Sequence, residues 1–192
     1  MSKNLIGYRA LVCGASAGIG RATAIALAEK GAEVILLARR AERLQALKEE
    51  IESNGGQATI LVGDLDQRDD VVAKVEKLVA ERPIHILINN TGGPKGGPIL
   101  QAKEDEFLTA FSRHVLSAHR LLQTVISGMT EAGYGRIINV ISTSVYEPIP
   151  NLGVSNTIRG AMASWAKTVA RELPPKITIN NVLPGFTDTE RL

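Results

Sequence analysis

The chain has 192 residues, 44% hydrophobic and 22% charged, the balance of an ordinary globular domain with enough apolar side chain for one core, which excludes intrinsic disorder and fibrous repeats. Twenty-two basic against 20 acidic residues leave a formal charge of +2, too little to point to nucleic acid or an anionic membrane as a partner. No apolar run approaches the roughly 18 residues of a membrane helix, Met1 to Arg9 lacks signal-peptide character, and Cys13 forms neither an intramolecular disulfide nor a zinc spacing with the three histidines, so a cytoplasmic, metal-free protein is expected.

In chain order, Arg9 to Cys13 is the first strand candidate, followed by a glycine-rich turn and a helix that runs to Lys30 and stops at Gly31. Glu33 to Ala38 is the second strand. A helix with apolar Leu44, Leu47 and Ile51 on one face follows and ends at Gly55 and Gly56. Ala58 to Val62 is the third strand, and Val72, Val75, Leu78 and Val79 form the stripe of a helix that ends at Pro83. Ile84 to Asn89, Arg136 to Ile141 and Ile177 to Val182 complete six strands, the last preceded by Pro174 and Pro175.

These runs of Val, Ile and Leu lack strict polar alternation, as strands covered on both faces should. Strands alternating with helices through right-handed crossovers predict one doubly wound parallel sheet with helices on both faces. Residues 1–192 therefore read as a single Rossmann-type domain of three layers, α/β/α, with its ligand crevice at the carboxyl ends of the strands.

The turn after the first strand reads Gly14-Ala15-Ser16-Ala17-Gly18-Ile19-Gly20. Glycines there admit a tight turn and let backbone N–H groups approach a pyrophosphate, whose charge the helix start favours. The general dinucleotide fingerprint G-x-G-x-x-G is not met. The spacing G-x-x-x-G-x-G instead resembles the short-chain dehydrogenase/reductase family, and Asn89-Asn90-Thr91-Gly92 is similar to its Asn-Asn-Ala-Gly motif. Asp64-Leu65, Asn139-Val140-Ile141-Ser142 and Asn181-Val182-Leu183-Pro184-Gly185 extend the likeness over the whole chain. The nearest likeness is to 3-oxoacyl-carrier-protein reductase-like members.

That resemblance implies a nicotinamide cofactor lined at its pyrophosphate by Gly14, Ala15, Ser16, Ala17, Gly18, Ile19 and Gly20. Asp64 and Leu65 would meet the adenine, Asn90 and Gly92 the ribose side, and Thr187 the nicotinamide amide. NAD-preferring members usually end the second strand with an acidic residue, whereas here Ala38 is followed by Arg39 and Arg40. NADP, its 2′-phosphate held by these arginines, is the expected cofactor. The alternative is that both merely solvate a helix start, where cations oppose the helix dipole by roughly 0.3–1 kcal/mol each.

The catalytic pattern departs from the family at three of four positions. Ser142 stands at the serine, but the tyrosine and lysine positions hold Ser155 and Arg159, and the asparagine position holds His114. A family tyrosine, with a phenol pKa of about 10 before a neighbouring lysine lowers it, supplies the proton for carbonyl reduction, and serine is a weaker and shorter acid. Arg159 could still hold the nicotinamide ribose but cannot relay a proton. His114 could donate one as a histidine or be a buried structural residue. Tyr146 could swing inward, although its nearness to Pro148 and Pro150 favours loop packing. After Pro184-Gly185 the family continues through a substrate-covering segment that is lacking here, as in a fragment or an unusually short protein.

The expected function is an NADP(H)-dependent oxidoreductase acting on a small carbonyl or alcohol substrate, with a catalytically impaired NADP-binding sensor or inactive subunit as the rival reading. Halohydrin dehalogenases share the arginine but keep the tyrosine and lose the glycine turn, the opposite pattern. Phe107, Phe111, Val115 and Leu122, with Met162, Trp165 and Val169, suggest apolar helix faces covered in a homodimer or a homotetramer built from it.

Overall fold

A computed structural model describes residues 4–189. The runs read as strands pair in parallel in one six-stranded sheet of order β3-β2-β1-β4-β5-β6. Along the chain these are β1 (Arg9–Cys13), β2 (Glu33–Ala38), β3 (Gln57–Val62), β4 (Ile86–Asn89), β5 (Gly135–Val140) and β6 (Ile177–Val182). The helices are α1 (Gly18–Glu29), α2 (Ala41–Ser53), α3 (Arg68–Glu81), α4 (Glu104–Phe111), α5 (Ser117–Glu131) and α6 (Gly153–Glu172).

Alternate residues of each strand feed two apolar cores. Val12, Val34, Leu36 and Ile88 meet Ala24 and Ala28 of α1 and Leu44, Leu47 and Ile51 of α2. On the other face Leu11, Ile35, Leu37 and Leu87 meet Val71 and Val75 of α3, Leu121 and Val125 of α5, and Ala166 of α6. Double coverage is why the strands carry no polar alternation. The order reverses between β1 and β4, which opens the crevice beside the carboxyl ends of those strands.

The fourth strand begins at Ile86 rather than Ile84. Its predecessor His85 accepts the backbone N–H of Arg9 on ring Nδ1 at 3.1 Å, so a side chain takes a bond that the ladder would have made. Val115, Leu122 and Met162, expected on a covered outer face, are buried within this one chain, while Leu108, Phe111 and Leu116 are exposed along α4 and the π-turn.

Two features fix the floor and roof of the crevice. Asn89, Asn139 and Asn181 stand in register on three neighbouring strands. Asn89 Nδ2 donates to Asn139 Oδ1 at 2.8 Å and Asn139 Nδ2 to Asn181 Oδ1 at 2.9 Å, an amide ladder at the sheet's carboxyl end that is buried at Asn89 and Asn139 and half-buried at Asn181. Above it, α4 passes into α5 through a π-helical turn at Ser112–Leu116, which the sequence periodicity did not register. Such turns insert one extra residue and re-aim the side chains they carry.

Candidate active site

The glycine turn is shaped by Asn90. Its Nδ2 donates to the carbonyl oxygens of Cys13 at 3.3 Å and Gly14 at 3.5 Å, pressing the segment after β4 against the turn. A Cβ on Gly14, whose φ is +64°, would stand 2.7 Å from Asn90 Nδ2, and one on Gly20 would run into the Gly14 carbonyl. Only hydrogen fits at either position. Ala15 is buried and donates its N–H to the Leu37 carbonyl at 3.2 Å. Ala17 precedes α1, with Gly18 and Ile19 half-buried in its first turn, and neither a side-chain cap nor a carboxylate occupies that helix start. A close-approach turn leading into an uncapped helix fits the pyrophosphate of a dinucleotide. Thr189, where the segment after β6 returns, lies with its methyl 3.2 Å from the Cβ that Gly18 lacks.

Arg40 does not merely solvate α2: its Nη2 and Nε donate to Ser16 Oγ at 3.0 and 3.3 Å, drawing the guanidinium to the glycine turn. Arg39 Nη1 lies 3.8 Å from Asp64 Oδ2, and Asp64 Oδ1 accepts the Asp66 N–H at 3.1 Å. Two arginines and a hydroxyl thus stand near the ends of β2 and β3, Arg40 on Ser16 and Arg39 beside the Asp64 carboxylate. This arrangement can accept a phosphate monoester.

Deeper in the crevice is a cavity of about 10 Å³, room for roughly one water. Its lining brings together Asn90, His114, Arg159 and Leu65, with Cys13 and Ser117 beside them. His114 is buried and rides on the π-turn. Arg159 is also buried and donates Nη1 to the Val140 carbonyl at 2.9 Å, anchoring α6 to the end of β5. Burial pushes the Cys13 thiol up to about 12, so it behaves as a small apolar group rather than a nucleophile.

Ser142 follows β5, and its Oγ accepts the Ser144 N–H at 3.1 Å. That contact leaves the hydroxyl's own hydrogen to donate. Ser155 is buried on α6. Tyr146, expected to pack within its loop, is 85% exposed, because Pro148 and Pro150 restrict the backbone without covering the ring. Gly92 and Thr187 are exposed at the rim, Thr187 Oγ1 donating to the Gly185 carbonyl at 3.3 Å, and neither lines the inner cavity.

Residue-by-residue reading missed Arg113 and Asp66. Arg113 Nε donates to Asp66 Oδ1 at 2.7 Å and Nη2 to Oδ2, a two-pronged pair across 47 residues of sequence that no local spacing announces. Among the described residues, no cluster of three His, Cys, Asp or Glu side chains is placed to hold a metal ion, and no helix is long and apolar enough to cross a membrane.

A family model described as short chain dehydrogenase matches residues 8–192. The 3-oxoacyl-(acyl-carrier-protein) reductase of Pseudomonas aeruginosa is 35% identical over 192 residues, spanning 97% of this chain and 76% of that protein. The structure of 3-oxoacyl-(acyl-carrier-protein) reductase from Agrobacterium tumefaciens with NADP bound aligns with a TM-score of 0.92 at 27% identity, over 98% of this chain and 74% of that one. L-Sorbose reductase from Gluconobacter frateurii, complexed with NADPH and L-sorbose, aligns over all of this chain and 74% of its own with a TM-score of 0.93 at 27% identity.

Proposed function

The chain belongs to the short-chain dehydrogenase family, and from that premise we propose that it is an NADP(H)-dependent oxidoreductase acting on the carbonyl or alcohol group of a small molecule. The observation that carries the proposal is the pairing of a glycine cradle closed by Asn90 with Arg39 and Arg40 at the end of β2. Similar proteins solved with NADP or NADPH bound support the same cofactor.

Gly14 to Gly20 and the start of α1 would hold the pyrophosphate, Arg39, Arg40 and Ser16 the 2′-phosphate, and Asp64 and Leu65 the adenine. Asn90, Gly92, Arg159 and Thr187 would border the nicotinamide half. When bound, the cofactor supplies or accepts a hydride. Ser142, with Oγ already accepting from Ser144, donates its hydrogen to the substrate oxygen and stabilises charge developing there. Arg159 and His114 line the inner cavity, where they would add a permanent cation and an imidazole to the crevice.

A second reading, a nucleotide-binding protein with impaired turnover, is favoured by one observation: Ser155 is short and buried where family members present a phenol. Titration calorimetry with NADPH and NADH tests the cofactor assignment. NADPH should bind at least about tenfold more tightly, a difference of about 1.4 kcal/mol. Equal affinities would remove the 2′-phosphate site, and tight NADPH binding without turnover on any carbonyl would favour the second reading.

A further inference from the structure

The segment after β3 and the π-turn between α4 and α5 are stitched together by side chains from both. Arg113 holds Asp66 with two prongs. Arg68 Nη1 donates to Ser112 Oγ at 3.0 Å, and Ser117 Oγ donates to the Leu65 carbonyl at 3.2 Å. Every tether therefore joins residues 65–68 to residues 112–117. One end of this seam is Asp64-Leu65, which borders the adenine position. The other carries His114 into the inner cavity, immediately after Arg113 in the chain.

We propose that Asp66 and Arg113 are positioning residues, forming a clasp through which occupation of the adenine end of the crevice sets the placement of His114. The proposal rests on the nucleotide-binding reading above. A bidentate carboxylate–guanidinium pair fixes both distance and orientation, so a displacement of the adenine-side loop is passed to the π-turn rather than absorbed. A π-turn suits this role because its wider hydrogen-bond spacing can re-register against the flanking helices. The hydrogen bonds with Arg113 hold the Asp66 carboxyl below its ordinary value, against the opposing effect of partial burial. The Arg113 guanidinium is raised by the same pair.

The test needs no turnover. Adenosine 2′,5′-bisphosphate presents the adenine and 2′-phosphate but has no nicotinamide to enter the cavity, and the ring resonances of His114 report its placement by NMR. In the parent, saturating fragment should shift the His114 signals. The shift should be lost in Arg113→Gln and in Asp66→Asn, each saturated with fragment, and return when Asp66→Arg is combined with Arg113→Asp. Asp66→Asn keeps the side-chain shape and serves if Arg113→Gln fails to fold. If fragment binds the parent without moving His114, or the shift survives undiminished in the single variants, the clasp is refuted. Failure of the fragment to bind the parent would overturn the nucleotide-binding reading itself, and the clasp with it.

Discussion

At the scale of single residues, the two arginines after β2 make unequal contacts and should contribute unequally. Arg40 is drawn onto Ser16 of the glycine turn, whereas Arg39 is 70% exposed and loosely paired with Asp64. Arg40→Ala should therefore erase more of the NADPH preference than Arg39→Ala, up to about tenfold in affinity. Calorimetry on both variants checks the order, and a preference unchanged in both would dismiss these contacts. The chemistry was legible from counting, since Ser155 and Arg159 stand where the family has tyrosine and lysine. Position alone said less about Tyr146, because prolines nearby fix a backbone but do not supply a surface for the ring, and the ring is exposed. Of the three tyrosines, Tyr8 and Tyr134 stack at 4.4 Å at the opposite end of the sheet, which leaves Tyr146 as the one phenol near Ser142. If it supplies the proton, Tyr146→Phe should lower kcat by roughly 10²- to 10⁴-fold with NADPH affinity unchanged. Ser155→Tyr with Arg159→Lys should raise turnover if it does not.

At the scale of elements, strands and helix stripes could be read from the sequence because each is a local pattern: Leu44, Leu47 and Ile51 lie on one buried face as their spacing requires. The π-turn could not, since an extra residue in a helix leaves no mark on periodicity over so short a span. Nor could the Asp66–Arg113 pair, which only the crossover brings together. The asparagine ladder was half visible: the motif residues Asn89, Asn139 and Asn181 were evident, but not their shared register. Asn139→Ala should cost about 1–3 kcal/mol for each amide left without its partner, read from denaturant unfolding. Gly20→Ala should cost about 1–3 kcal/mol through overpacking against Gly14 and Asn90, and should weaken NADPH binding by widening the turn.

The amino end of the sheet carries a pH-dependent element. His85 Nδ1 accepts the Arg9 N–H, and its ring meets the edge of Tyr8 at 5.1 Å. Burial first, then the cations of Arg9 and Arg82, hold its pKa below the ordinary histidine value. Glu33 pairs with both arginines on the same side. The unfolded chain binds the His85 proton more readily than the folded one, so stability is complete above about pH 6.5 and falls as pH drops below it, levelling off once the folded-state pKa is passed. Thermal unfolding between pH 7.5 and 5 (roughly the range in which histidine changes charge) should show this slope in the parent and a shallower one in His85→Gln. Equal slopes would assign the effect elsewhere.

At the scale of the whole molecule, one chain leaves Leu108 63%, Phe111 39% and Leu116 38% exposed along α4 and the π-turn. Val115, Leu122 and Met162 are already buried, so the apolar stripe left open is narrower than the spacing of these residues suggested. We expect a second copy to cover that stripe in a homodimer, or a tetramer built from it, and Leu108→Glu should shift light-scattering mass toward monomer. A parent that is monomeric at micromolar concentration would contradict it. The most direct test of the central claim follows reduced-nicotinamide absorbance when the protein meets NADPH and a panel of small ketones and 3-oxo esters. The proposed function predicts consumption that requires a carbonyl, is faster with NADPH than with NADH, and falls by about 10²-fold or more in Ser142→Ala. No carbonyl-dependent consumption, or a rate indifferent to Ser142→Ala, would contradict it.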